Sequence, residues 1–345
     1  MIALETGDEE KEMTNSAAPE SNSIEPSTME SSTDRVAIVI PVRNRPDLLA
    51  KCLESLACQT LPAGVSEVLV CDDGSSEDLA GVVESFMTRL PGVRLVQQRP
   101  SGPAAARNLG FRSSRADVFV CVDSDIVCAP GFVKHLVDAL HCHPDWVAAE
   151  GSVLPVGKKG FFFDAPVNQG GTYGTGASAY RASALLKVGG LDETFPFPAC
   201  EDAELAGRLL RLGFYGYVPD AVVYHPTRRV TWRIQWRTRK YWRYVMILAK
   251  RYGFLAFPGR PAGPLPRLRV ALAAVVTLPG GRLLEALKYA ADNPKEGVFA
   301  CGSVILDVIC GLAALPEILF APVPERRNYL DGGKKNSSTA EPVLP

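Results

Sequence analysis

Ala116-Asp117-Val118-Phe119-Val120-Cys121-Val122 runs directly into Asp123-Ser124-Asp125. A run this apolar on both faces fits a strand covered from both sides, as in a parallel sheet. Residues i and i+2 of an extended chain share a face, so the two carboxylates leave the strand together. At its C-terminal end they stand where open α/β sheets bind ligands. Two neighbouring acids want a cation, and oxygen donors of this kind suit Mg²⁺ or Mn²⁺ shared with a substrate phosphate.

On the N-terminal side of this stretch the pattern alternates. Val36 to Ile40 predicts a strand, followed by the turn Pro41-Val42-Arg43-Asn44 and a helix over Asp47 to Cys58. Val68 to Cys71 is a second strand, ended by Asp72-Asp73-Gly74-Ser75-Ser76 and followed by a helix over Glu77 to Arg89. A third strand at Val93 to Val96 and a helix over Ala104 to Arg112 complete a βαβαβαβ series. That order predicts an α/β fold with a parallel sheet. Beyond Asp125 come a helix near Gly131 to His141, a strand at Val147 to Val153, and a Gly-rich run over residues 170–177 that permits close backbone approach. A helix over Glu201 to Leu212 and two short strands, Phe214 to Val218 and Ala221 to Tyr224, lead to His225.

Composition sets the frame. The 345 residues are 47% hydrophobic, enough for one large core or two modest ones. Residues 1–34 hold nine acids and one base, leaving 36 bases against 29 acids in the remainder. This polar segment buries too little apolar surface to offset its ordering entropy and reads as a disordered acidic tail. It has neither the basic start nor the apolar core of a secretory leader, which predicts a cytoplasmic protein. Nine cysteines, several inside apolar strands and none at zinc-site spacing, read as small hydrophobes in a reduced compartment. His141-Cys142-His143 reads as a solvated helix end.

Residues 228–251 contain nine Arg or Lys, no acid, and Trp232, Trp236 and Trp242. Such a helix-compatible stretch predicts peripheral contact with the cytoplasmic face of an anionic membrane. No nucleic-acid module accompanies it, so nucleic acid is not an expected partner. Val270 to Gly281, Gly297 to Leu306 and Val308 to Pro316 are free of charge, but none reaches the roughly 20 residues of a spanning helix. They read as packed or half-inserted helices.

Seven segments, in order, carry a resemblance. They are Ile38-Val39-Ile40-Pro41-Val42-Arg43-Asn44, Val70-Cys71-Asp72-Asp73-Gly74-Ser75, Gly102-Pro103-Ala104-Ala105-Ala106-Arg107-Asn108, Asp123-Ser124-Asp125, Gly176-Ala177-Ser178-Ala179-Tyr180-Arg181, Val188-Gly189-Gly190-Leu191-Asp192-Glu193 and Glu201-Asp202-Ala203-Glu204-Leu205. Together they resemble the family 2 glycosyltransferases of the GT-A fold across residues 35–226. The resemblance implies a mostly parallel, nucleotide-binding sheet flanked by helices. A helical, basic and amphipathic extension over residues 227–325 and a flexible tail over residues 326–345 would follow it.

The same resemblance implies roles. Pro41, Arg43, Asp72 and Asp73 would line the nucleotide pocket. Asp123 would face the ribose or a metal, Asp125 would ligate the metal directly, and His225 would add a ligand that favours Mn²⁺ over Mg²⁺. Arg107 would face the diphosphate or hold a structural salt bridge, and Arg228 and Arg229 could clamp phosphate. Asp202 would be the catalytic base and Glu201 its support, although both acids also suit a helix start. The expected activity is inverting, metal-dependent transfer from a nucleoside-diphosphate sugar, UDP-type first, to a hydroxyl of a glycan or lipid-linked acceptor in cell-envelope or polysaccharide synthesis. A nucleotidyltransferase would show a Gly-rich basic loop where this chain has Pro41-Val42-Arg43-Asn44-Arg45-Pro46. A non-catalytic sugar-nucleotide scaffold would lack one of Asp123, Asp125 or Asp202, and all three are present.

Overall fold

The computed structural model describes residues 34–238, 240–253, 263 and 265–330. Its first half follows the alternation of the sequence: β1 (Val36–Val42), α1 (Pro46–Ala57), β2 (Val65–Asp72), α2 (Ala80–Glu84), β3 (Val93–Gln97), α3 (Pro103–Arg112) and β4 (Val118–Val122). These four strands lie parallel in the order β3-β2-β1-β4. Val36, Ile38, Ile40 and Val120 pack with Leu49, Leu53 and Leu56 of α1 on one face, and Val39, Leu69 and Cys121 pack with Ala104, Ala106 and Phe111 of α3 on the other. Burial on both faces is why these strands read as continuous apolar runs. Fully burying each such side chain contributes about 1.5–3 kcal/mol. Burial also pushes the Cys121 and Cys128 thiols up to about 12, so they serve as core residues.

The second half is β5 (Val127–Cys128), α4 (Phe132–Cys142), β6 (Trp146–Val156), β7 (Phe163–Asp164), β8 (Ala177–Arg181), α5 (Ala182–Val188), α6 (Glu201–Leu209) and β9 (Phe214–Pro226). The sheet continues β4-β8-β6-β9-β5, with β8 antiparallel to both β4 and β6. β8 was not expected, because its small residues, Ala-Ser-Ala, give no strong strand pattern. The two short strands expected around residues 214–224 form one, whose register against β6 shifts between Gly151 and Ser152. The helix expected over Glu77 to Arg89 is only five residues long, and beyond it Ser85 Oγ donates to the Val82 carbonyl in place of regular helix.

After β9 come β10 (Arg228–Arg229), paired with β7, then α7 (Trp232–Thr238), α8 (Tyr241–Tyr252), α9 (Pro266–Leu272), a π turn over Ala273–Thr277, α10 (Leu278–Asp292) and α11 (Pro294–Phe320). Three expectations are corrected here. Trp236 and Trp242 are half-buried and only Trp232 of the three is exposed, and α8, which carries Trp242, turns inward. Its Tyr244, Met246, Ile247 and Leu248 cluster with Phe195, Arg251 donates to Asp192 at 2.5 Å, and the Tyr252 hydroxyl donates to Glu204 at 2.5 Å.

Apolar runs also reach spanning length. Asp307 does not interrupt α11, since Arg282 and Gln235 donate to its two oxygens at 2.7 and 2.6 Å, so two runs join into one 27-residue helix. Finally, residues 326–330 do not trail away. The Tyr329 amide donates to the Gly189 carbonyl at 3.1 Å and Leu330 packs beside the α3 side of the core. The expected acidic tail up to residue 33 and the expected loose end over residues 331–345 lie outside the described residues.

Candidate active site

The C-terminal ends of β1, β2 and β4 open onto a cleft of about 660 Å³, within the usual range for small-ligand sites. Pro41, Arg43, Asp73, Arg107, Asp123 and Asp125 all line it. So do Arg45, Phe197, Arg228 and Arg237. Five arginines on one cleft fit a polyanion such as a diphosphate, whose oxygens match guanidinium forks.

The floor is held by turn chemistry. Asp72 accepts from the Ser75 amide and hydroxyl at 2.8 and 2.6 Å and from Gln97 at 3.1 Å, so it organises the turn and does not line the cleft. Asp73 accepts from Gln98 and from the Ser101 and Gly102 amides, which pins the loop that feeds α3. Asn44 and Arg45 both have positive φ, 58° and 64°, and the Asn44 side chain accepts from the Ser76 amide at 2.9 Å. That left-handed pair aims Arg45 back over the cleft, where it donates to Asp125 at 3.0 Å. Sequence reasoning missed Arg45; its one signal was Pro46, which sits at a helix start and makes the preceding residue a cap.

Asp123 and Asp125 leave β4 toward different partners. Asp123 accepts from Arg107 at 2.6 Å. Gly176 passes so close to it that an added Cβ would lie 2.2 Å from Asp123 Oδ2, which explains a glycine at the mouth of β8. Asp125 is buried and accepts from Arg228 at 2.6 Å, while His225 Nε2 stands 3.6 Å from its other oxygen. His225 Nδ1 lies 2.8 Å from the Pro226 carbonyl, a distance that assigns the ring proton to Nδ1 and leaves Nε2 with a lone pair. The Arg228 guanidinium faces both that lone pair, at 3.1 Å, and the Asp125 carboxylate. A cationic group thus already stands between two donors that suit a divalent ion. Among the described residues no group of three or more His, Cys, Asp or Glu converges as a metal cluster, because Asp123 is turned to Arg107.

Behind the cleft, α6 brings up the second acid pair. Cys200 enters the helix with φ 68°, placing Glu201 and Asp202 in the first turn. Arg107 joins this pair to the β4 acids: it donates to Asp123 and its other terminal nitrogen lies 3.9 Å from Glu201. Burial works against its charge, yet Asp123, Asp202 and Glu201 outweigh that and hold its pKa above the usual value. Glu201 is buried and accepts from the Ala199 amide at 2.6 Å; burial, then Asp202, pushes its pKa well up, against the pull of Arg107. Asp202 is half-buried and accepts from Thr175 at 2.9 Å; burial raises its pKa while Arg107 and Thr175 restrain it. Burial thus raises the pKa of both acids of the pair, Glu201 more strongly than Asp202, with Arg107 opposing the shift in each.

Two further motifs act as scaffolding. Asn108 exchanges hydrogen bonds with the Leu191 amide and carbonyl, both at 2.9 Å, docking the Gly189-Gly190-Leu191 turn on α3. Buried Glu150 accepts from the Gly171 and Tyr173 amides at 2.5 and 2.6 Å and shapes the Gly-rich loop.

Comparisons with known proteins agree with this fold. Residues 37–158 match the family described as Glycosyl transferase family 2. A pre-mycofactocin glycosyltransferase of Mycobacterium tuberculosis is 28% identical over 306 residues, 80% of this chain and 56% of its own length. The chain thus spans little more than half of that relative. Among solved structures, the S. aureus TarS fragment 1-349 in complex with UDP-GlcNAc has a TM-score of 0.51 at 16% identity, covering 79% of this chain and 81% of its own. The mannosyltransferase PcManGT from Pyrobaculum calidifontis, in complex with GDP-Man and Mn2+, has a TM-score of 0.50 at 17% identity, covering 84% and 86%. At these identities the solved structures show a shared fold.

Proposed function

We propose that this chain, a member of glycosyltransferase family 2 through the domain at residues 37–158, is an inverting glycosyltransferase that moves a sugar from a nucleoside-diphosphate donor to an acceptor hydroxyl. The reading rests above all on Arg107. One guanidinium reaches from Asp123 at the end of β4 to Glu201 at the start of α6, which sets the α6 acid pair directly behind the cleft that Asp123 lines. The nucleotide-sugar complexes of TarS and PcManGT support a donor of this class, with a UDP-sugar the first to try.

In the reaction the acceptor oxygen attacks the anomeric carbon as the bond to the diphosphate oxygen breaks. The hydroxyl proton passes to Asp202, and the bonding pair departs with the nucleoside diphosphate. A single displacement inverts the anomeric centre. General-base help of this kind is worth about 10²–10⁴-fold, or about 3–5 kcal/mol. Glu201, whose pKa burial pushes well up, supports Asp202 from the same helix turn, and Arg107 steadies both. Arg43, Arg45, Arg228 and Arg237 take up the charge that gathers on the leaving group. Pro41, Asp72 and Asp73 shape the nucleotide end of the cleft, and the acceptor is a glycan or lipid-linked hydroxyl.

Asp125 and His225 would hold a divalent cation, Mn²⁺ or Mg²⁺, and Asp123 would face the ribose or the ion. When bound, the ion supplies several kcal/mol of charge stabilisation to the departing diphosphate. Arg228, which here donates to Asp125, would be able to meet a phosphate oxygen of the donor.

Proton NMR of UDP-glucose and GDP-mannose incubated with the protein and Mn²⁺ tests the reading. Slow turnover in which the released sugar first appears with inverted anomeric configuration is expected, and it should vanish in Asp202→Asn. Retention of configuration, or full turnover by Asp202→Asn, would sink it.

A further inference from the structure

The C-terminal helices carry more large apolar side chains outside than inside. On α11, Ala300, Val304, Cys310, Ala314 and Ile318 face the protein, whereas Val298 and Phe299 are 77% and 72% exposed and Ile305, Ile309 and Leu312 follow on the open side. Leu268, Leu272, Val276, Leu283, Leu284 and Leu287 are likewise exposed along α9, the π turn and α10. Pro266–Asp292 and Glu296–Phe320 reach mean hydropathies of 1.5 and 2.3, yet only 22% and 28% of their most apolar stretches are buried. A core helix would be mostly buried, and a leader would lie at the N-terminus. An exposed apolar area of this size marks an interaction surface.

We propose that this helix pair docks the protein on an anionic lipid surface, lying in the plane of the bilayer with its open face immersed at the level of the headgroups and upper acyl chains. Charge identifies the occupant. Trp232 and Arg229 line one groove with Val298 and Phe299, and the Arg233 guanidinium sits 5.3 Å over the Trp232 ring. Arg229 and Arg233 are exposed on this flank, and residues 228–251 contain no acid. An apolar face rimmed by Trp and basic residues matches the interface of an anionic leaflet. A second copy of the chain on the same face would set these arginines against their own counterparts.

Packing decides the orientation. α11 is tied along its length: Gln235 of α7 donates to the Ser303 carbonyl and Asp307, Arg267 of α9 donates to the Ile318 and Leu319 carbonyls, and Ala314 and Ile318 join the cluster of α8. Threading α11 through a bilayer would drag charged α7 and α8 into the hydrocarbon. Lying flat avoids that cost. Exposed Glu285 and Lys288, one turn apart on α10, stay with the headgroups and offset one another. The proposal makes no use of the catalytic reading.

Flotation of the full chain with vesicles of phosphatidylcholine alone, or mixed with phosphatidylglycerol, tests it. The protein should float with the anionic vesicles, and Arg233→Glu should weaken that preference. The double variant Leu284→Glu/Phe299→Glu should bind about tenfold or more weakly while its melting temperature and nucleotide binding hold. Three results would overturn the proposal: no flotation with either vesicle, unchanged flotation of the double variant, or a stable lipid-free dimer that the double variant abolishes.

Discussion

The sheet domain hides its apolar residues and gathers charge in one cleft, whereas the C-terminal helix pair half-buries one ion pair and shows its apolar residues. Both regions hold an arginine against an aspartate, Arg107 with Asp123 and Arg282 with Asp307. The Arg107 side chain is 5% exposed and faces three carboxylates; that of Arg282 is 31% exposed and faces one. In the first region buried charge is balanced so that chemistry can use it. In the second the pair only allows a polar residue inside an apolar helix, and the unfinished surface is apolar.

The largest effect is expected at the base. Asp202→Asn should lower turnover about 10²–10⁴-fold with nucleotide affinity kept, as single-turnover kinetics and calorimetry would show. Because burial raises the Asp202 pKa, the acid limb of the wild-type pH–rate profile should lie above the ordinary aspartate value of about 4. Next comes Arg107→Met, which strands three buried or half-buried acids. A loss of about 3–5 kcal/mol in urea unfolding is expected, and a loss below about 1 kcal/mol would break the contrast between the regions.

Glu201 gives a smaller effect with a definite sign. Its folded pKa is raised by burial and by Asp202, so the stability this neutral acid contributes is fully present below its unfolded value of about 4.3. That stability is lost as pH rises toward the folded value. Glu201→Gln should remove this slope, so the variant gains on wild type as pH rises above about 4.3. Parallel curves in urea melts across that window would contradict it. The smallest effect belongs to Arg282→Met, about 1 kcal/mol or less. A cost equal to that of Arg107→Met would erase the distinction.

Much of the cleft was legible in the sequence because its backbone is simple. Parallel strands place their C-terminal ends together, so Pro41, Asp73 and Asp123 could be assigned to one edge from the strand order alone. Side-chain partners were not legible. Asp72 and Asp73 read equally well as ligand acceptors or turn residues, and only the Ser75, Ser101 and Gly102 contacts place them in the turns. Arg45 depends on two successive positive φ angles that no periodicity reports. In the C-terminal region a charge-based reading stopped at Asp307, since its partners Arg282 and Gln235 lie 25 and 72 residues away. Trp236 and Trp242 were not legible for a related reason: composition grouped them with Trp232 on one surface, but both are half-buried, and α8 carries its apolar side chains into the domain.

Calorimetric titration with UDP, GDP and dTDP, with Mn²⁺ or with EDTA, tests the central claim most directly when wild type is set beside Asp125→Ala. The account predicts that one nucleotide binds wild type only with the metal, and that Asp125→Ala loses this binding. Equal binding in EDTA, or binding indifferent to Asp125, would contradict the claim that this cleft is a metal-assisted nucleotide-sugar site.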